Sequence, residues 1–352
     1  MFDLGQLRII TPGFVTAVGA LSAVAVLAGC RLRRRRMLAV ACAVVALLIT
    51  PLTAAAAVNA HYRYLPRVDD ALGIATWPRA PLSRVLDAAA TEPFPKGVVV
   101  EEPITGWVSG FGTRVAYVYL PPQYFTEPAA RFPTAYLLHG SPGAPLDWLR
   151  AGNAATAGYA IARTGHPVIL VAPRLSRSWL DDSECLDRPD EHVETYLTRD
   201  VVSAVDRTFR TLPDASDRLL VGISAGGYCA LNIGLLHRSE FGALADLSGL
   251  DRPTHSGGLR GLLGPDGTPA ELAAQTPADY VGQLPVRPRE RIYLAAGRSD
   301  HGPLHDETVM AAALRARSQD VTFTTPPGTH DYTFWRRELP LALAWWTGAP
   351  AA

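Results

Sequence analysis

The stretch "VGISAGGYC", Val221–Cys229, decides how this chain is read. Within it Gly222, Ser224 and Gly226 spell G-x-S-x-G, the pattern of a serine on a sharp strand-to-helix turn. The chain has 352 residues and 30 glycines, and at that density chance alone supplies the pattern about 0.1 times. Context must therefore carry it. Leu219–Gly222 is a short β run. Ala225 to His237 places Ala225, Tyr228, Cys229, Leu231, Ile233 and Leu235 at helical spacing. Gly222, Gly226 and Gly227 let such a turn close against its neighbours. The alternative, a serine in an ordinary tight turn, leaves these features unconnected.

From Gly97 onward, short apolar runs alternate with longer amphipathic ones. "VVVEEPI" and "RVAYVYLP" read as two antiparallel strands. "TAYLLHG", "PVILVAP", "DRLLVGIS", "GALADLSG", "RIYLAAG" and "VTFTTPPG" read as buried strands. Continuous apolar strands separated by helices imply a mainly parallel sheet covered on both faces, which is an α/β-hydrolase fold of eight strands over residues 96–349. Glu191–Arg210 is the clearest helix, with Val193, Tyr196, Leu197, Val201, Ala204, Val205 and Phe209 on one stripe.

A serine near neutral pH needs a base to take its proton and a carboxylate to orient that base. In this fold they follow in the order serine, acid, histidine. His330, in "GTHDYTFWRREL" just past the last strand, is the expected base. Asp300, in the loop after Arg291–Ala296, is the expected acid. Asp306 is second, beside Glu307 at the start of an expected helix Thr308–Ser318, where helix capping accounts for it. Asp246 and Asp251 follow an earlier strand. The oxyanion donors are expected to be the Ala225 N–H and one from "HGSPGAPLDW", His139–Trp148. Pro142 has no N–H, so Ser141 is the better donor there. The loops over 175–191 and 251–283 are expected to cap the pocket; Trp179, Asp181 and Asp182 are either lining or solvated loop residues.

The first sixty residues are of another kind. Ile9–Cys30 and Met37–Ala60 carry no charge, and each is long enough to span a bilayer core of about 30 Å as a helix. Between them lies "RLRRRR", Arg31–Arg36. Positive loops stay in the cytoplasm, so a hairpin with helices at about 9–30 and 37–60 puts the rest of the chain outside. Two other readings remain: "LAGC", Leu27–Cys30, as a lipoprotein processing box, and Met37–Thr50 as a late signal peptide cut near "VNA". Both also place the remainder outside. The proline-spaced residues 61–95 read as an extracytoplasmic linker.

Formal net charge is zero and Arg31–Arg36 is the one strong basic run, which excludes a spread nucleic-acid-binding face. The four cysteines form no C-x-x-C or Cys/His cluster, so neither a metal site nor a cofactor is expected. Cys185 and Cys229 pair as a disulfide or stay as two separate thiols.

"LLHG" then "DW", "ETYLTRDV", "GISAGG", "LSG" and "GTHDYTFWRREL" together resemble the esterase family that holds S-formylglutathione hydrolases, feruloyl esterases and secreted mycolyltransferases. The resemblance covers about residues 97–348. It implies Ser224 as nucleophile, His330 as base, Ser141 and Ala225 as oxyanion donors, and Trp335 packed near the histidine. The wording is nearest the mycolyltransferases, but that branch carries "L-L-D-G-L-R" where His139 and Pro142 stand here, and its acid is Glu where Asp300 is the candidate. Trehalose mycolylation is therefore not implied. The expectation is a membrane-anchored serine esterase or acyltransferase whose partners are an acyl ester, with an envelope sugar or lipid as acceptor, and the membrane. The rival, an inactive binding protein on this scaffold, would lack a triad residue, and none is missing.

Overall fold

The structure, a computed structural model, describes residues 7–31, 35–71, 77–87, 94–286 and 290–350. The chain divides into a unit running to residue 76 and a second unit from Trp77, the stretch Asp331–Thr333 being grouped with the first.

In the first unit, helix α1, Pro12–Arg31, and helix α2, Arg36–Tyr62, pack side by side. Glycine brings them close: a methyl on Gly29 would lie 3.2 Å from Cys42 Cβ. The Ser22 and Thr50 hydroxyls share a hydrogen bond of 2.9 Å, which satisfies both inside an apolar pair. Of α1 only Ser22 and Ala25 are buried, and of α2 no residue is. Twenty and 27 residues of mean hydropathy 2.0 and 2.4 are long and apolar enough to cross a membrane. The middle of the expected arginine turn, residues 32–34, lies outside the described residues.

The second unit is built on the eight expected strands: β1 Val98–Gly106, β2 Gly112–Leu120, β3 Thr134–Leu138, β4 Ile169–Ala172, β5 Arg218–Ile223, β6 Ala243–Leu247, β7 Arg291–Ala295 and β8 Asp320–Thr324. Their order across the sheet is β1-β2-β4-β3-β5-β6-β7-β8. β1 and β2 form an antiparallel hairpin, β2 meets β4 antiparallel, and every other pairing is parallel. The fully buried patterns of β3, β4, β5 and β6 follow from helices on both faces, which is why those runs read as continuously apolar. The C-terminal ends of β5, β7 and β8 open on one edge of the sheet, the edge where open α/β sheets carry their sites.

Three boundaries differ from the sequence reading. The expected helix Glu191–Arg210 starts later, because Glu191 and His192 pair with Asp187 and Arg188 in a two-residue ribbon. It begins at Val193, winds as a π-helix over Tyr196–Val201, and ends at Thr208, where Phe209 turns extended. Asp200 in the π segment accepts the Val108 and Ser109 N–H groups at 2.9 and 3.0 Å, tying the β1–β2 turn to it. Second, the linker does not reach Pro95 as free chain: Pro78 and Ala80 exchange backbone hydrogen bonds with Val99, and Leu82, Val85 and Phe94 pack on the core. Third, the helix expected at Thr308 begins at His301.

Candidate active site

Ser224 sits between β5 and helix α3, Ala225–Leu236, with φ 55° and ψ −125°. That left-handed backbone is costly for a residue with a Cβ, on the order of 1–3 kcal/mol, and it persists only where the surroundings over-determine it. Glycines do so here. A methyl on Gly222 would lie 1.7 Å from the Gly226 carbonyl oxygen, and one on Gly226 would lie 2.3 Å from that of Leu138. A methyl on Gly227 would meet Asp246 Oδ1 at 2.2 Å. The turn is therefore clamped between the β3 backbone and the Asp246 side chain of β6, at distances that admit no side chain.

Asp300 is the N-cap of helix α4, His301–Ala316, immediately past β7, and is 7% exposed. His330 lies past β8. Its Nδ1 is 2.8 Å from Asp300 Oδ2 and its Nε2 is 2.9 Å from Ser224 Oγ. With a buried carboxylate facing Nδ1, that nitrogen carries the proton and Nε2 accepts from the serine hydroxyl. The Trp335 ring stands edge-on to the imidazole, centroids 5.0 Å apart. The three residues named from the sequence thus form one hydrogen-bonded line. Asp306 does not belong to it. Because α4 starts at His301, Asp306 falls inside the helix, where burial and the charge of Asp251 push its carboxyl up.

On the other side of Ser224, Gly140 approaches it closely: a methyl on Gly140 would lie 3.3 Å from Ser224 Cβ. Ser141 and Ala225 line one small cavity. The Ala225 N–H is the first of its helix and has no intrahelical acceptor. The Ser141 N–H has no backbone acceptor among the described residues. Pro142 follows through a cis peptide, and Asp147 closes the loop by accepting the Ala144 N–H at 2.8 Å.

His139 is not a ligand or a base. It is 4% exposed, and burial, with the Arg174 charge adding, lowers its pKa to about 4 against a hydrogen bond to the Gly140 carbonyl that works the other way. The neutral ring donates from Nδ1 to the Gly140 carbonyl at 2.8 Å and accepts the Leu175 N–H at Nε2, 3.3 Å. It therefore ties the β3 loop to the β4 loop. Asp246, read as following a strand, lies in β6 and is fully buried; burial raises its carboxyl to about 8. Trp179 is 56% exposed and does not line the cavity, whereas Asp181 and Asp182 do. Cys185 and Cys229 form a disulfide, resolving the alternative left by the sequence. No group of three or more metal-binding side chains occurs among the described residues.

A parallel sheet with a strained serine elbow and a histidine and carboxylate on neighbouring strand ends defines an α/β-hydrolase. The family model described as "Putative esterase" matches residues 112–346, and the chain belongs to that family. An uncharacterized protein of Corynebacterium glutamicum is 28% identical over 264 residues, 71% of this chain, and the match spans 61% of that protein's length. An acetyl esterase of Caldicellulosiruptor saccharolyticus is 24% identical over 60% of this chain and 82% of its own. A solved ferulic acid esterase superposes with a TM-score of 0.62 at 21% identity, covering 71% of this chain and 97% of that one.

Proposed function

We propose that this chain is a membrane-anchored serine esterase or acyltransferase with its catalytic unit outside the cytoplasm. The observation that carries the reading is the line Ser224 Oγ–His330 Nε2–Nδ1–Asp300 Oδ2, with contacts of 2.9 and 2.8 Å. In the reaction His330 takes the hydroxyl proton as Ser224 Oγ attacks an ester carbonyl, and Asp300 holds the imidazolium that forms. The tetrahedral oxyanion lies between the Ala225 and Ser141 N–H groups. His330 returns the proton to the departing alkoxide, leaving an acyl group on Ser224. Water or an acceptor hydroxyl, deprotonated by the same histidine, then resolves the acyl-enzyme. Esterase and transferase differ only in that last nucleophile.

Two observations support the location. A disulfide joins Cys185 to Cys229, and disulfides persist in oxidising compartments. The Arg31–Arg36 cluster between two apolar helices favours a cytoplasmic turn. Hydrolysis of p-nitrophenyl acetate by the full-length protein tests the chemistry: Ser224→Ala and His330→Ala should each abolish it. Adding sugars or glycerol during turnover separates the two endings, since a transferase yields acylated acceptor and an esterase yields free acid. Protease applied to intact cells should digest the unit from Trp77 onward if it faces outside.

A further inference from the structure

Four exposed apolar side chains of the catalytic unit take no part in the chemistry just described. Trp107, Val108, Trp179 and Leu180 are 83%, 68%, 56% and 76% exposed, and no other large apolar side chain described from Trp77 onward exceeds 48%. Each pair sets an aromatic ring beside an aliphatic side chain, and such exposed apolar surface marks a place for an apolar partner. Both pairs lie on the edge of the sheet that carries Ser224. Trp107 and Val108 form the turn between β1 and β2. β2 runs antiparallel to β4 with Tyr117 opposite Ala172, so the turn that precedes β2 lies past the C-terminal end of β4. β4 is parallel to β3, and β3 to β5, whose C-terminal end delivers Ser224. Trp179 and Leu180 stand in the loop that leaves β4. The Trp179 carbonyl there accepts the Gly143 N–H, two residues past Ser141, at 3.1 Å.

The fold holds both pairs outward. Asp200 accepts the Val108 and Ser109 N–H groups, His192 Nδ1 donates to the Ser109 carbonyl at 2.9 Å, and Phe111 is buried beneath. The Trp107 turn is therefore fixed in place, which lowers the ordering cost of inserting it anywhere. Thr105 to Thr113 carries no charge. Around Trp179 the charges are compensated within the loop, Arg177 pairing with Asp190 at 3.4 Å and Arg188 with Asp181 at 3.3 Å. Tryptophan beside aliphatic side chains, without free charge, suits the boundary between lipid headgroups and acyl chains.

We infer that the catalytic unit docks on a bilayer through Trp107, Val108, Trp179 and Leu180, with the Ser224 edge turned toward the lipid surface. The inference rests on the reading of α1 and α2 as membrane helices. On that reading a bilayer is always in reach, because the chain from Tyr62 to Trp77 spans roughly 50 Å at most. Such a tether gives an effective concentration on the order of millimolar, at which weak apolar insertion suffices. The strength of docking follows the apolar area inserted, so it needs neither anionic lipid nor low salt.

The experiment uses full-length protein in phosphatidylcholine nanodiscs, with or without brominated acyl chains, and reads tryptophan fluorescence. The double variant Trp107→Ala/Trp179→Ala keeps the other five of the seven tryptophans as background. Bromine should quench the native protein at least about twofold more than the double variant. High salt should leave that difference unchanged, since apolar insertion is not screened. The double variant should turn over p-nitrophenyl acetate within about twofold of the native rate. On a long-chain p-nitrophenyl ester dissolved in the same bilayer it should be about tenfold slower. Equal quenching of the two proteins overturns the inference, as does a difference that high salt removes. Native dimers whose tryptophans bromine does not quench also overturn it, because a second copy then covers these side chains. An unchanged rate on the bilayer ester overturns the orientation of the Ser224 edge. Protein that fails to enter nanodiscs overturns the membrane-helix reading and the docking with it. No turnover of either ester overturns the Ser224 reading, and quenching still decides the docking.

Discussion

The two sides of Ser224 are held by different means. On one side His330 and Asp300 come from consecutive strand ends, and two hydrogen bonds of 2.8 and 2.9 Å suffice to align them. On the other side the Gly140–Ser141 loop and the Asp181–Cys185 wall are irregular chain, knit by a neutral buried histidine, two left-handed residues and a disulfide. A regular scaffold positions the groups shared by any ester reaction. Irregular chain, stapled into place, holds the loop on the far side of Ser224.

The contrast can be broken at several points. The largest effect is expected on the strand-end side: Asp300→Asn should lower kcat about 10⁴-fold with the fold intact, because the imidazole then takes the wrong tautomer. Circular dichroism alongside steady-state rates checks it. If Asp306→Asn instead gave the larger loss, the geometry of the acid would be misread. Gly226→Ala comes next. Its methyl would meet the Leu138 carbonyl oxygen at 2.3 Å, backbone that cannot step aside, so stability should fall by at least ~4 kcal/mol or no soluble protein should form.

On the stapled side, Cys229→Ser opens a loop whose ends are 44 residues apart. Chain entropy puts the loss at about 4 kcal/mol, read as a lower melting temperature of detergent-solubilised protein. A smaller effect concerns pH. The Glu184 carboxyl titrates near 7 in the folded chain and near 4.5 when unfolded, so the folded chain holds that proton more tightly. Stability from this group is complete below about 4.5 and is lost as pH rises through about 7, by roughly 3 kcal/mol. Glu290, raised to about 8 by burial, acts in the same direction; His139, lowered to about 4, acts oppositely, withdrawing stability as pH falls below about 6.5. Glu184→Gln should therefore gain on the native protein between pH 5 and pH 8 in thermal melts. A pH-independent difference would contradict the buried carboxyl.

The same contrast explains what the sequence made legible. The central strands β3, β4, β5 and β6 could be read because burial on both faces leaves an unbroken apolar run, and Ser224, Asp300 and His330 could be read because they sit at fixed offsets from strand ends. The start of α4 was misplaced by seven residues, since "HGPLHDE" carries little apolar periodicity and its helix is opened by Asp300 itself. Glu184 gave no signal at all. In "LDDSECLD" it is one of several acidic residues that read as solvated, and only the disulfide and the left-handed turn bury it. His139 likewise looked like a substituted ligand position; its role as a brace depends on Leu175, 36 residues away.

The central claim is that Ser224 is a nucleophile activated by His330. Its most direct measurement is labelling of the full-length protein with a fluorophosphonate probe, followed by mass spectrometry of the modified peptide. The account predicts a single adduct on Ser224, absent in Ser224→Ala and strongly slowed in His330→Ala. An adduct that persists in Ser224→Ala, or a native protein that resists the probe while folded, would contradict it.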